Sequence, residues 1–301
     1  MEPRGRQRSG AFYDAAPPII GADGSVRLAT PPLPRPATAF RVTTGAARLP
    51  DGVSWSLRFA VGVADTVGRR AAMEDAHAVL GRFGGVPMRD LFLVCDGHNG
   101  PAAARAVSSM LPEALLTRLN GGAGKEEEES KDKEGKQEET TEEEEALKGA
   151  FVDVNERLRE EGVAGGTTAT AVLVDVGAAF VASVGDTRCA LVQGGVLTRL
   201  TRDHRPADAA EAAAVVARGG TVDAVGRELR VNGTLAITRA LGDRELAGAV
   251  SPVPDVRRFV FDFEPGSAII IACDGLWDVV SFVSLVTIVI TLVLFIHMLL
   301  L

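Results

Sequence analysis

The sequence predicts an α+β domain whose strands pair in antiparallel sheets. Two apolar runs, Gly165–Val176 and Ala178–Asp186, flank a tight Val-Gly turn, which is typical of an antiparallel hairpin. An apolar run followed by Asp-Gly occurs twice, at Leu91–Gly97 and at Ala268–Gly275. Apolar residues recur at helical spacing at Pro101–Leu119, and two further helices are predicted at Glu142–Glu161 and Ala207–Arg218. A chain of 301 residues, 46% of them hydrophobic, can bury a sizeable core.

The first 55 residues are expected to form a disordered arm outside the domain. They are rich in Pro, Gly, Ala and Arg and show no periodicity. An organelle transit peptide is the alternative, because arginines outnumber acids there, although Asp14 and Asp23 argue against it. The arm has no apolar stretch of the kind that a secretory signal needs. We therefore expect a domain over residues 56–281 that lies in the cytoplasm or the nucleus.

The first half of this domain predicts three strands and a helix. Ser56–Asp65 alternates as a strand does, and Ala76–Gly81 follows after a charged turn. Leu91–Cys95 is apolar throughout, as in a buried strand. Pro101 suits the first turn of the helix that comes next, and glycines after Asn120 end it.

An acidic low-complexity insertion over residues 124–141 interrupts the domain. The stretch Lys125–Lys148 holds 12 acids and 5 lysines, a charge of −7 out of −8 for the whole chain. Such a segment buries little surface and is expected to be solvated, with a partner-binding acidic tract as the alternative. Because the remainder is nearly neutral, no basic face indicates nucleic-acid binding.

The second half of the domain predicts further strands. Arg188–Gln193 is a third short strand after the hairpin, and Arg230–Asp243 is predicted as a strand that ends in a Gly-Asp turn. The three cysteines, Cys95, Cys189 and Cys273, form no Cys-x-x-Cys pair. Their odd number and apolar surroundings favour small core residues in a reducing compartment.

The last twenty residues, Phe282–Leu301, contain no Asp, Glu, Lys or Arg. A helix of that length would span about 30 Å, the thickness of a bilayer's hydrocarbon core. The tail is therefore a transmembrane candidate that would anchor the domain to a membrane. An exposed apolar extension is the alternative.

Carboxylates stand at the ends of several predicted strands. Asp96 and Asp274 each follow an apolar run, and Asp186 follows another. If these ends meet, the oxygens suit hard divalent cations such as Mg²⁺ and Mn²⁺. His98 adjoins them and can carry a proton near neutral pH. Unrelated turn residues remain the alternative, because Asp-Gly is a common turn sequence.

Taken together, the motifs resemble those of the metal-dependent protein phosphatases of type 2C, the PPM family, and especially its plant members. The matching segments occur in the family's order and cover roughly Arg58 to Ser281. They are Arg69–Arg70, Met73–His77, Asp96–His98, Gly166–Ala169, Val184–Arg188, Asp203–His204, Arg239–Asp243 and Asp274–Asp278.

The resemblance implies a four-layer αββα sandwich, with two antiparallel sheets flanked by helices and metals at one end. It implies hydrolysis of phosphoserine and phosphothreonine proteins by water activated by two Mg²⁺ or Mn²⁺ ions, with a weaker third ion. The expected protein is a monomer. No phosphoenzyme is expected, since no Cys-x5-Arg loop is present.

The resemblance also implies roles for individual residues. The metal ligands would be the carboxylates of Glu74, Asp96 and Asp274 and the carbonyl of Gly97, with Asp96 bridging the two ions. The weaker third ion would use Asp186 and Asp278 together with Asp274. The catalytic set would be Arg70, which binds phosphate, His98, the general acid, and Asp75, which orients water. Asp243 is interpreted as a turn-forming structural residue.

The sequence departs from the family's pattern at its C-terminal end. After the segment that matches Asp274–Ser281, the family continues with helices, an Asp-Asn motif and a closing strand, and that later Asp is a further metal ligand. Here the apolar tail follows, and no Asp or Glu occurs after Asp278. The chain would then be a truncated or divergent member that lacks one strand and its covering helices. A catalytically impaired module that binds phosphoproteins or regulators is the alternative function.

Overall fold

A computed structural model describes residues 59, 61–68, 70–121, 140–260 and 267–280. It also gives the backbone of short strands nearer the N-terminus, at Ile19–Ile20, Val26–Arg27, Arg41–Thr43, Ala47–Arg48 and Ser54–Trp55. The chain divides into two units, one made of residues 1–42 and 62–66 and the other of residues 43–61 and 67–301. In the first unit Ile19–Ile20 pairs antiparallel with Val26–Arg27. The predicted site residues, from Arg70 to Asp278, all belong to the second unit.

A five-stranded antiparallel sheet forms the centre of the second unit. Its strands are β1 (Ala76–Leu80), β2 (Asp90–Cys95), β5 (Ala169–Asp175), β6 (Ala178–Val184) and β12 (Asp255–Phe259), in the order β12-β6-β5-β2-β1. The predicted hairpin is confirmed, with Asp175 opposite Ala178 and Ala169 opposite Val184. Every residue of β6 is buried, which explains why this strand is apolar on both faces.

Two helices cover one face of the central sheet. They are α1 (Ala102–Gly121) and α2 (Glu142–Glu160), close to the bounds that the sequence predicts. Helix α2 begins with a capping box, in which the Thr141 side chain accepts from the backbone of Glu144 and the Glu144 side chain accepts from the backbone of Thr141. Their apolar faces form one core with the sheet, through residues such as Leu115, Phe151 and Leu173.

A second, three-stranded antiparallel sheet packs against the other face of the first. It contains β7 (Arg188–Gln193), β8 (Val196–Arg199) and β13 (Ala268–Ala272), in the order β8-β7-β13. Val172 and Val181 of the first sheet meet Cys189 and Ile271 of the second in a shared core. Two antiparallel sheets packed face to face, with helices outside, make the α+β sandwich that the sequence predicts.

The outer face of the second sheet is less completely covered by the described residues. The short helix α4 (Asp274–Trp277) lies there, and Trp277 packs against Ala190 and Ile270. Every residue of β13 is only partly buried, unlike those of β6.

The remaining described elements connect the sheets and carry the site. Three strands of two residues each, β3 (Gly97–His98), β4 (Gly166–Thr167) and β11 (Leu241–Gly242), form a small sheet in the order β11-β4-β3. Helix α3 (Ala209–Ala217) precedes a hairpin of β9 (Val222–Val225) and β10 (Glu228–Val231). Two 3-10 turns, Phe83–Gly85 and Arg244–Leu246, and a strand at Val61–Val63 are also described.

The prediction of one strand over Arg230–Asp243 is wrong. Strand β10 ends at Val231 and β11 begins only at Leu241, and the residues between them turn. Asn232 adopts a left-handed backbone conformation and Gly233 follows it in the same region, which breaks the strand despite the apolar residues beyond.

Several predictions lie outside the described residues. They concern most of the N-terminal arm, residues 124–139 of the acidic insertion and the whole apolar tail over residues 282–301. Within the part of the chain that the structure describes, no helix is both long and apolar enough to cross a membrane.

Candidate metal centre

Asp96 stands at the end of β2, where the central sheet opens toward the small sheet. Its backbone N–H donates to the Thr168 hydroxyl at 3.2 Å, and its carbonyl accepts from the Thr168 N–H at 2.9 Å. These two bonds tie Asp96 to the neighbouring strand. Its carboxylate is thereby held at the end of the sheet, as the sequence predicts.

Gly97 and Glu74 lie against each other. A Cβ on Gly97 would stand 2.4 Å from the Glu74 carbonyl oxygen, so only glycine fits between the two segments. The Glu74 carboxylate accepts from the Gly100 N–H at 2.7 Å. The structure therefore places together these two predicted metal ligands, which are distant in sequence from one another.

The carboxylates of Asp75 and Asp96 and the Cys273 thiol form a compact cluster. One ligand atom from each lies within 4.8 Å of the others, and the Cys273 Sγ donates to Asp75 Oδ2 at 3.4 Å. Burial and the neighbouring charges of Asp75 and Asp96 raise the pKa of Cys273 to about 12. The interpretation of Cys273 as one more core thiol missed this position, because its contact with Asp75 joins residues far apart in sequence.

The electrostatics of this cluster favour a cation. Burial, followed by the charges of Asp75, Asp274 and Asp186, raises the pKa of Asp96 to about 7. Like charges at this spacing repel each other, and a bound divalent cation would offset the repulsion. Oxygen donors from several carboxylates are the set that Mg²⁺ and Mn²⁺ prefer. The residues present therefore fit such an ion.

Asp186 has a different partner from Asp96. The Arg205 guanidinium donates to Asp186 Oδ2 through Nε at 2.9 Å and also lies 2.7 Å away through its terminal nitrogen. Burial nevertheless raises the pKa of Asp186, with a further contribution from Asp274. The charge of Asp278 acts on the same arginine. Two of the three predicted third-ion residues, Asp186 and Asp278, thus interact electrostatically with a side chain that is already cationic.

The other predicted catalytic residues take two different positions. Arg70 is exposed on the loop before β1, and its backbone N–H donates to the Val67 carbonyl at 3.1 Å. His98 lies in β3, next to Asp96, and its side chain is mostly buried.

His98 also has a partner that the sequence did not indicate. Its Nε2 lies 2.8 Å from both carboxylate oxygens of Asp243, a residue interpreted from the sequence as a turn former. Asp243 does stand in a turn, with a left-handed backbone, but its side chain points at the site. One feature of the sequence could have indicated this role for Asp243. It follows an apolar residue and a glycine, as Asp186 does.

A sandwich of two antiparallel sheets with clustered carboxylates at the strand ends defines a class of metal-binding domain. A family model described as protein phosphatase 2C matches residues 59–293 of the chain. The chain belongs to the protein phosphatase 2C family.

Curated relatives agree with this assignment. Probable protein phosphatase 2C 2 of Arabidopsis thaliana is 33% identical over 216 residues, which cover 71% of this chain and 52% of the relative. Probable protein phosphatase 1N of Homo sapiens is 36% identical over 241 residues, 76% of this chain and 51% of the relative. The chain thus spans about half the length of these curated relatives.

Two solved structures bear on the fold. One, described as a C. elegans sex determining protein, has a TM-score of 0.60 at 26% identity and covers 72% of this chain and 52% of its own. Serine-threonine phosphatase 2C from Toxoplasma gondii has a TM-score of 0.57 at 21% identity, over 72% of this chain and 78% of its own, and supports the fold alone.

Proposed function

We propose that this chain is a Mg²⁺- or Mn²⁺-dependent protein phosphatase that hydrolyses phosphoserine and phosphothreonine. The observation that carries the proposal is the convergence of Asp75 and Asp96 at one end of the sandwich, within the electrostatic reach of Asp274. Family membership supplies the reaction class, since several relatives are named as protein phosphatases.

Each residue of the site has a task that its chemistry suits. Asp96, Glu74, Asp274 and the Gly97 carbonyl would hold two ions. Bound divalent ions make a water molecule a competent nucleophile near neutral pH. Asp75 would orient that water, because its carboxylate adjoins Asp96.

The substrate side of the site would use two further residues. Arg70, exposed on its loop, offers a planar guanidinium that can bind two phosphate oxygens at once. His98 would give a proton to the departing seryl or threonyl oxygen. A third ion at Asp186 and Asp278 would bind weakly, because Arg205 already neutralises Asp186.

The test is release of phosphate from a phosphothreonine peptide by the purified full chain with Mn²⁺. We expect turnover that requires the metal and that Asp96→Asn abolishes. A chain that binds the phosphopeptide with measurable affinity but releases no phosphate would instead support the second candidate, an impaired module that recognises phosphoproteins. Residues 279–301 contain no Asp or Glu, so none of them can supply a carboxylate ligand.

We also propose that the protein is a monomer in the cytoplasm or nucleus, attached to a membrane by its apolar tail. The support is the uncharged stretch Phe282–Leu301, long enough for one bilayer crossing. Membrane pellets should retain the full chain after alkaline carbonate, whereas a variant that lacks the tail should be released. Equal behaviour of the two chains would contradict anchoring by the tail.

A further inference from the structure

The small sheet β11-β4-β3 brings His98 and Asp243 together across a central strand. Gly166 of β4 is opposite His98 on one side and opposite Gly242 on the other. Strand β11 is therefore separated from β3 by the single strand β4. His98 belongs to β3, and Asp243 is the residue that directly follows β11. The register of three very short strands sets this pair, although 145 residues separate its members in the chain.

The space between the two strands admits the Asp243 carboxylate only because residue 166 is glycine. A Cβ on Gly166 would stand 2.2 Å from Asp243 Oδ2 and 2.4 Å from the carboxylate carbon. Real side chains do not approach this closely. The carboxylate thus occupies the volume that a side chain on β4 would fill.

The backbone at Asp243 is also held in a conformation that a non-glycine residue rarely adopts. Its φ is 43° and its ψ is 50°, in the left-handed region. The Asp243 N–H donates to the Gly165 carbonyl at 3.0 Å, and the adjacent Gly242 N–H donates to the buried Asn155 side chain of α2 at 2.9 Å. Backbone in this region is costly and persists where the surroundings enforce it, often beside a functional group.

The contact with Asp243 determines which ring nitrogen of His98 carries a hydrogen atom when the ring is neutral. An ionised carboxylate can only accept hydrogen bonds, so Nε2, at 2.8 Å from both Asp243 oxygens, must carry the hydrogen. Nδ1 is then the ring nitrogen left for the substrate. The side chains are 22% exposed for His98 and 6% for Asp243, so the histidine faces the open side of the pair.

We propose that Asp243 is the positioning residue for His98 in the phosphatase reaction. It holds the ring by Nε2–H, so that Nδ1–H is aimed at the oxygen that leaves phosphorus. As the bond from phosphorus to that oxygen breaks, the electron pair stays on the oxygen, which takes the Nδ1 proton. The imidazolium ring thereby becomes neutral and stays bound to Asp243 through Nε2–H. This assignment rests on the proposed function and replaces the interpretation of Asp243 as a purely structural turn residue.

The kinetic test compares two substrates with different leaving groups. A phosphothreonine peptide releases an alkoxide that needs a proton, whereas p-nitrophenyl phosphate releases a stable phenolate that does not. Asp243→Asn should lower kcat for the peptide by about 100-fold, the lower range for general acid catalysis, with KM unchanged. Its kcat for p-nitrophenyl phosphate should change by less than about 3-fold.

Three variants sharpen this comparison. Gly166→Ala, which places a methyl group where the carboxylate lies, should produce the same selective loss. Asp243→Asn combined with His98→Gln should be no slower on the peptide than His98→Gln alone, because the two residues act as one unit. Asp153→Asn, which removes an exposed acid paired with Arg118 of α1, should leave both substrates unaffected. Equal losses on both substrates, or none on the peptide, would overturn the proposal.

A spectroscopic measurement tests the pair without any turnover. The protein has only four histidines, so comparison with His98→Gln identifies the ring nitrogen signals of His98 in ¹⁵N NMR spectra. At alkaline pH the wild-type ring should be the Nε2–H tautomer, and Asp243→Asn should give a mixture. A wild-type ring protonated at Nδ1 would refute the assignment. A chain that lacks phosphatase activity but has the Nε2–H tautomer would refute the proposed function and leave the geometry standing.

Discussion

At the scale of single residues, two carboxylates at similar strand ends have opposite electrostatic settings. Asp96 faces other acids, and burial with their charges raises its pKa to about 7. Asp186 faces the Arg205 guanidinium, which offsets part of the cost of burial. In sequence both residues look alike, because each is an Asp that ends an apolar run. Only the neighbouring side chains distinguish them. Asp96 lies among acids whose repulsion a metal ion would offset, whereas Asp186 is already paired with a cationic side chain.

The first residue-scale prediction concerns Asp96 without metal. Its raised pKa means that the folded chain holds this proton more tightly than the unfolded chain, whose ordinary value is 3.8. Stability in EDTA should therefore rise as the pH falls from above 7 toward 3.8. Asp96→Asn should melt higher than the wild type at pH 8 in EDTA, and the difference should shrink as the pH falls. Thermal melts across this range measure it.

Two controls accompany these melts. Saturating Mn²⁺ should raise the melting temperature of the wild type but not that of Asp96→Asn, since ligands that bind only the folded state stabilise it. Asp153→Asn should instead lower the melting temperature at pH 8 in EDTA. The hydrogen bond from Arg118 lowers the pKa of Asp153, so the charged form of this residue stabilises the folded chain. A wild type more stable than Asp96→Asn at pH 8 in EDTA would contradict the account of the cluster.

At the scale of elements, the pair α1–α2 is held to the central sheet by apolar packing. Phe151 of α2 is fully buried in the core that both helices share with the sheet. The capping box at Thr141 adds a local contribution at the start of α2. These two features belong to one helix but differ in the energy that they contribute.

Urea unfolding should separate the two contributions to α2. Phe151→Ala should lower the free energy of unfolding by about 3–5 kcal/mol, through lost transfer energy and the cavity left behind. Thr141→Ala should lower it by about 1 kcal/mol, the usual value for a lost cap. Glu156→Ala, at an exposed position of the same helix, should change it by no more than about 0.5 kcal/mol. Similar losses from all three variants would exclude this division.

Element type was predictable from the sequence where a segment was long. The apolar runs of β2, β5, β6 and β13 and the helical spacing of α1 each identify an element within a few residues. The strands β3, β4 and β11 were not predictable, because two residues carry no periodicity. These short strands form only because the larger elements bring their segments together, and they are the ones that hold His98 next to Asp243.

At the scale of the whole molecule, the helices and the two sheets form a layered unit, and we expect it to fold without the acidic insertion. Helix α1 ends at Gly121 and α2 begins at Glu142, and the contacts of both helices with the sheet lie in the described residues. The insertion between them is predicted to be solvated. Loop length has only a weak effect on stability, since each doubling costs about 0.6 kcal/mol.

Replacement of residues 124–139 by a short Gly/Ser linker tests this prediction. The melting temperature should shift by less than about 3 °C, and Mn²⁺-dependent phosphate release should be retained. A scrambled insertion of the same composition serves as the matched control for loop length. A large loss of stability with the linker but not with the scrambled segment would indicate that the acidic charge itself contacts the domain.

The sequence by itself identified the family and predicted the longer strands and helices, and it named candidate site residues whose roles stay predictions. It did so because apolar periodicity and Asp-Gly endings are local features. Only the tertiary structure decided which groups meet. Arg205 neutralises Asp186, Cys273 adjoins Asp75, and Asp243 faces His98 across a glycine. These are contacts between distant segments, and the register of paired strands sets them where no local pattern could.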